Sequence, residues 1–141
     1  MREILFKAKR IDNGEWVEGY YAYFSEIIGR GILKKNHMII TNIPAGKFRV
    51  HIYRIDINSL CQYTGLTDKN ENKIWENDIC KYHNSEDEDG IAIIREDYVQ
   101  WIGGTLAEEC CITQLFYLKC GKEWEVIGNI FDNPELIEEK H

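Results

Sequence analysis

Hydrophobic and polar positions alternate along much of this chain with a period of two. Ile4, Phe6 and Ala8 alternate with Leu5, Lys7 and Lys9, which predicts a strand because successive side chains leave opposite faces. Asp12-Asn13-Gly14 follows. Asn-Gly tolerates φ > 0 at both central positions of a tight turn, so a hairpin returns through residues 15–24. Gly19 inside that return strand marks a bulge or the close approach of another backbone. Residues 25–36 read as a loop, because Gly29 and Gly31 stop the turn that Ser25-Glu26-Ile27-Ile28 begins. Met38-Ile39-Ile40-Thr41 reads as a β-branched strand, and Pro44-Ala45-Gly46 as a turn. Phe48, Val50 and Ile52 share one face of the next strand and Arg49, His51 and Tyr53 the other, which predicts that the polar face is solvated.

The second half reads as a short antiparallel meander. Strands are expected at 60–63, 78–82, 90–95 and 98–102, with a turn at 68–72 before Ile74-Trp75 and a loop tip at 83–90. Thr105-Leu106-Ala107-Glu108 has capping-box spacing, which predicts one short helix near 105–110. Gln114–Leu118 and Glu123–Ile127 are expected to pair around residues 119–122. Asn133-Pro134-Glu135 has the form of a helix start, with Asn as cap and Pro at the first helical position. Short strands with turns every 8–12 residues suggest a mainly β fold, a small barrel or a sandwich.

The 141 residues are enough for one ordinary domain or two very small ones. No apolar run approaches the roughly 20 residues of a membrane span. Lys7, Lys9 and Arg10 interrupt any signal-peptide core, so a soluble, intracellular protein is expected. Five cysteines, two of them adjacent at Cys110-Cys111, argue for free thiols over a disulfide framework. The charge is uneven. Residues 1–60 hold ten Lys/Arg against six Asp/Glu, a balance of +4, whereas residues 61–141 hold seven against eighteen, a balance of −11. The sign changes near residue 60, which predicts a basic N-terminal region, 1–60, and an acidic C-terminal region, 61–141, sharing one core.

Two segments carry a resemblance. The first is Gln62-Tyr63-Thr64-Gly65-Leu66 with Asp68-Lys69-Asn70 and Ile74-Trp75-Glu76-Asn77-Asp78-Ile79; the second is Trp124-Glu125-Val126-Ile127-Gly128-Asn129-Ile130 with Asn133-Pro134-Glu135. Together with Phe6-Lys7-Ala8 and Trp16-Val17-Glu18-Gly19, they resemble the signatures of the YopX-like proteins of phages and prophages. The resemblance implies a mostly β protein with an SH3-type barrel in its C-terminal part, in the cytoplasm of a bacterial host. It brings no catalytic residues. Tyr63, Gly65, Asp68, Trp75, Asp78, Trp124, Gly128, Asn129 and Pro134 are its structural signature. Asn72 and Asn77 stand where glycine is expected, and asparagine is the best substitute at φ > 0.

Catalytic and metal chemistry find little support. Asp68-x-Asn70-x-Asn72 opens like a calcium loop, but Lys73 and Ile79 occupy the positions that need glycine and a bidentate glutamate. Cys80 and His83, three apart on a strand, leave opposite faces, and structural zinc prefers close pairs. The reading is therefore non-enzymatic, with no cofactor and no metal. Two surfaces remain: a basic one of Lys34, Lys35, Lys47, Arg49 and Arg54, and an acidic one of Glu86, Asp87, Glu88 and Asp89. The leading expectation is an interaction protein that assembles with itself, its basic half meeting the acidic half of the next copy in a head-to-tail contact that closes into a ring where the rotation permits. The alternatives are a nucleic-acid or nucleoprotein accessory factor using residues 30–54, and an acidic decoy of a host protein.

Overall fold

A computed structural model describes residues 4–42, 50–84, 86–109, 112–114 and 123–138. The chain divides into two units, Ile4–Gln62 and Tyr63–His141. The first is built from β1 (Phe6–Lys9), β2 (Trp16–Ile28), β3 (Ile32–Asn42), β4 (Val50–Arg54) and the first residues of β5 (Cys61–Thr67). These strands lie in the order β4-β3-β2-β1-β5, all neighbours antiparallel.

The β1–β2 turn forms at Asn13-Gly14: Gly14 has φ 74° and the Asn13 side chain accepts the Glu15 N–H at 2.9 Å. Gly19 is a close approach, because an added Cβ would overlap the Ile40 carbonyl oxygen of β3 and lie 2.9 Å from Ile39 Cγ2. Residues 25–36 differ from expectation. They are not a loop but the distal half of a long hairpin, in register from Tyr20↔Ile40 to Ile28↔Ile32. Gly29, Arg30 and Gly31 take φ of 41°, 45° and 80°, and Ile32 N–H donates to the Gly29 carbonyl at 3.0 Å. The glycines turn the chain back on itself, and the β-branched Ile27, Ile28 and Ile32 favour strand on either side.

The core of this unit is small. Ala8, Ile39 and Ile55 are buried, with Phe6, Val17, Tyr21 and Leu60 packed against them. After β4 the chain leaves β3 for β1. Ile55 N–H donates to the His37 carbonyl at 3.1 Å and Asp56 N–H to the Lys9 carbonyl at 2.9 Å. A 3-10 turn, Ile57–Ser59, follows, capped by the Asp56 side chain.

The second unit contains β6 (Lys73–Trp75), β7 (Asp78–His83), β8 (Asp89–Ile94), β9 (Tyr98–Gly103), α1 (Thr105–Glu109), β10 (Ile112–Gln114), β11 (Trp124–Asn129) and α2 (Glu135–Glu138). β5 pairs with β6 through Tyr63↔Trp75. The main sheet has the order β10-β9-β8-β7-β11. Its core joins Ile74, Cys80, Ala92, Ile94, Val99, Trp101 and Trp124. Trp101 stacks on Trp124 at 5.5 Å, and Tyr82 meets Trp124 at 4.8 Å.

The SH3-type barrel expected for this half is not formed. Closure needs the two end strands to pair, yet β10 pairs with β9 and β11 with β7. The outer edge of β11 is already occupied. Lys69 N–H donates to the Trp124 carbonyl at 2.9 Å, and Val126 N–H to the Asp68 carboxylate at 3.0 Å. Backbone groups used in this way are not free to pair with another strand. The 114–118 arm of the expected hairpin lies mostly outside the described residues. No helix among the described residues is long and apolar enough to cross a membrane.

Gly19→Ala is expected to destabilise the protein by about 1–3 kcal/mol, because the methyl must displace a β3 carbonyl rather than a flexible side-chain end. Urea unfolding measures this, and an unchanged midpoint contradicts the packing described.

Candidate functional site

Most signature residues serve the frame. Asp68 is 5% exposed and spends its carboxylate on three backbone N–H groups: Asn70 and Asn72, both at 2.9 Å, and Val126 at 3.0 Å. Burial pushes its pKa up, but these N–H donors outweigh burial and hold it below the ordinary 3.8. Asp78, 2% exposed, accepts the Trp75 N–H at 2.8 Å. Asn77 has φ 70°; in the 68–72 turn the positive φ, 66°, falls on Glu71 instead of Asn72. Gly65 has φ 88°, and the Tyr63 and Trp75 rings meet at 5.5 Å.

At β11, Gly128 is needed for space, since an added Cβ would lie 2.5 Å from Asn133 Oδ1. That oxygen accepts the Asn129 N–H at 3.2 Å, so Asn133 ties back to the strand. Asn129 Oδ1 in turn accepts the Phe131 and Asp132 N–H groups, both at 2.9 Å. Pro134 is exposed and precedes α2.

The unusual surface lies in the first unit. Of the thirteen exposed large hydrophobics among the described residues, only Ile112 falls outside it. The register puts Tyr20, Phe24, Ile28, Ile32, Ile52 and Val50 on one face of β2-β3-β4, where they are 42–61% exposed. Ile27 at 74% and Leu33 at 66% stand exposed on the opposite face of the hairpin tip. β4 departs from the expected one-sided polarity: His51 is exposed as expected, but Val50 and Ile52 are exposed as well, and Tyr53 is half-buried with the Arg10 guanidinium 4.4 Å from its ring centre.

Beside this face is a basic cleft of about 530 Å³. It is lined by Lys9, Arg10, Lys34, Lys35, His37 and Arg54, with Asp56 as its one acidic side chain among the described residues. The fold thus brings the predicted Lys34, Lys35 and Arg54 together. His37, which continues the Lys34-Lys35-Asn36 run of the predicted patch, also lines it, and the fold adds Lys9 and Arg10, which sequence reasoning missed because they come from β1. The signal for Lys9 and Arg10 in the sequence was the basic run Lys7-Ala8-Lys9-Arg10. Lys47 and Arg49, also predicted, lie outside the described residues.

The cations differ in their commitments. Arg10 is bound by Asp12, with Nε at 2.9 Å from Oδ1, and its charge is held on by that carboxylate. Lys35 lies 5.6 Å from the Tyr23 ring centre. The His37 ring stacks with Tyr21 at 5.9 Å, and its Nδ1 is 2.6 Å from the Tyr21 hydroxyl. Glu26, opposite Lys34 in register, accepts from the Asn36 amide at 3.1 Å. Asp56 is occupied by the Asn58 N–H at 3.0 Å.

In the second unit, Glu86–Asp89 form the β7–β8 turn. The Asn84 side chain accepts the N–H groups of Glu86 and Glu88, both at 3.0 Å, and its amide donates to the Glu88 carboxylate at 3.1 Å. Asp87 lies 3.5 Å from His83, and Asp89 accepts the Thr105 N–H at 3.0 Å. Glu86 is exposed. Cys80 is buried, and burial pushes its thiol well up, aided by the charges of Asp78 and Asp68; a thiol so held is a poor nucleophile. Among the described residues no three His, Cys, Asp or Glu side chains gather as for a metal ion.

These features define a class: a mainly β protein with open sheets, whose distinctive surfaces are an apolar sheet face and a basic cleft. The chain belongs to the YopX protein family of phages and prophages, which matches residues 5–138. The crystal structure of protein EF1440 from Enterococcus faecalis is similar, with 22% identity and a TM-score of 0.48, covering 97% of this chain and 99% of that one. No curated protein matches the sequence.

Asp68→Ala should cost about 2–4 kcal/mol, since three N–H groups lose a charged acceptor. Because the folded pKa lies below 3.8, this contribution is full above the unfolded value and is lost as pH falls through the folded one. The variant should therefore lose less stability than wild type on acidification below about pH 4. Urea titrations at a series of pH values test this; parallel curves contradict it.

Proposed function

We propose that this protein is a non-enzymatic, self-associating component of the bacterial cytoplasm, in which the β2-β3-β4 face docks on a second copy. The observation that carries this reading is the row of six exposed apolar side chains on that face. A one-sided sheet ordinarily turns polar residues to water. Leaving such a surface exposed forgoes roughly 25 cal/mol for each Å² that a partner would cover.

A second copy is favoured as the occupant for two reasons. The tip of the hairpin carries exposed apolar side chains on both faces, Ile28 and Ile32 on one and Ile27 and Leu33 on the other, so it suits insertion between surfaces of a neighbour. The chain also carries its own electrostatic complement, +4 in residues 1–60 and −11 in residues 61–141. A basic surface meeting an acidic one on the next copy is a heterologous contact, which closes into a ring when the rotation permits. β4, as an end strand of its sheet, also offers a backbone edge that a neighbour can cover.

Multi-angle light scattering should find wild type larger than one chain at low and physiological salt. Ile28→Glu with Ile32→Glu should give a folded monomer, because both side chains are already exposed. Circular dichroism confirms folding. A wild-type monomer at both salts overturns the reading.

A further inference from the structure

We infer that the basic cleft of the first unit binds the phosphodiester backbone of single-stranded nucleic acid. The cleft shares the β2-β3-β4 face through Lys34 and Arg54, and its cations belong to the basic surface invoked for self-association, so the two proposals are separated by their readouts. Five permanent cations, Lys9, Arg10, Lys34, Lys35 and Arg54, line one cleft against a single carboxylate among the described residues, Asp56. That carboxylate is already bonded to the Asn58 N–H. Lys34 and Arg54 are exposed and have no carboxylate partner among the described residues. Arg10 keeps its Asp12 partner; the exposed charges of Lys34 and Arg54 are those an entering polyanion would meet while releasing its own condensed counterions.

The cleft exists because the two strands that flank it part. β4 stays with β3 only as far as Met38↔Arg54, and the chain then crosses to β1 through the Arg10↔Ile55 bridge. The β3 residues 34–36 are left without a strand on that side among the described residues. Their side chains and Arg54 project around the gap.

Rings next to the cations favour nucleic acid over an acidic peptide. Tyr23 is 58% exposed and lies beside two cleft residues, 5.6 Å from Lys35 Nζ and 6.0 Å from the His37 ring. A base can stack on that ring while the adjoining phosphate meets the lysine, the arrangement used by sequence-tolerant single-strand binders. An Asp/Glu tract would use the charges but brings no aromatic ring system to stack, whereas every base does.

The test is fluorescence anisotropy with labelled oligo-dT and oligo-U across a salt series. Wild type should bind at low salt, with affinity falling linearly in log–log form as salt rises. Lys34→Glu with Arg54→Glu should weaken binding at least about tenfold and flatten the salt slope by about 1.4, two single-strand phosphate contacts at about 0.7 each. Tyr23→Ala should weaken binding with the slope unchanged, which separates stacking from charge. Light scattering on the same variants keeps the two proposals distinguishable. Absence of wild-type binding at low salt overturns the inference, as does binding indifferent to the charge reversal. Loss of self-association without any oligonucleotide binding also overturns it, and assigns the cleft to the acidic surface of a neighbouring copy.

Discussion

The functional surfaces depend on one mismatch of strand lengths. β2 has 13 residues and β3 has 11, but β1 has 4 and β4 has 5. The central hairpin therefore outruns its neighbours. Near the base its inner face covers Ala8 and Ile55 around Ile39. Towards the tip, among the described residues, each strand pairs only with the other. Exposed apolar side chains on both faces, the uncovered edge of β3 and the basic cleft all follow from that excess length.

The second unit answers a different constraint. Asp68 joins segments 58 residues apart by accepting the Val126 N–H while ordering its own turn. This leaves β11 beside β7 on one side and beside the 68–72 turn on the other. The sheet stays open, and the stacked Trp101 and Trp124 are held over its core. The same carboxylate is withdrawn from any acid–base chemistry by its three donors. Buried polar groups that are fully paired in this way specify a geometry, and they cost heavily when a partner is removed.

Much of the frame was legible in the sequence. The Asn13-Gly14 hairpin, the short helix at 105–109 and the need for space at Gly19 follow from turn chemistry, capping and local composition. The family could be read from residues such as Trp75, Asp78, Gly128 and Asn129. The hairpin tip was misread because Gly29 and Gly31 are equally consistent with a loop and with a reversal between two long strands. Only pairing with β3 decides between them. Asn133 carries a sound capping signal, yet its side chain is taken by Asn129 and Gly128 in space.

The amino-acid sequence by itself determined the period-two alternation, the Asn13-Gly14 turn, the charge asymmetry and the family. These are local or additive properties, set by which backbone angles and faces each residue can adopt. The tertiary structure alone decided that Val50 and Ile52 stayed exposed along with His51, that the C-terminal sheet stayed open, and that Lys9 and Arg10 joined Lys34, Lys35 and Arg54 in one cleft. Alternation says only that two faces differ. Which face is covered depends on what packs there from elsewhere in the chain, and that is a non-local fact.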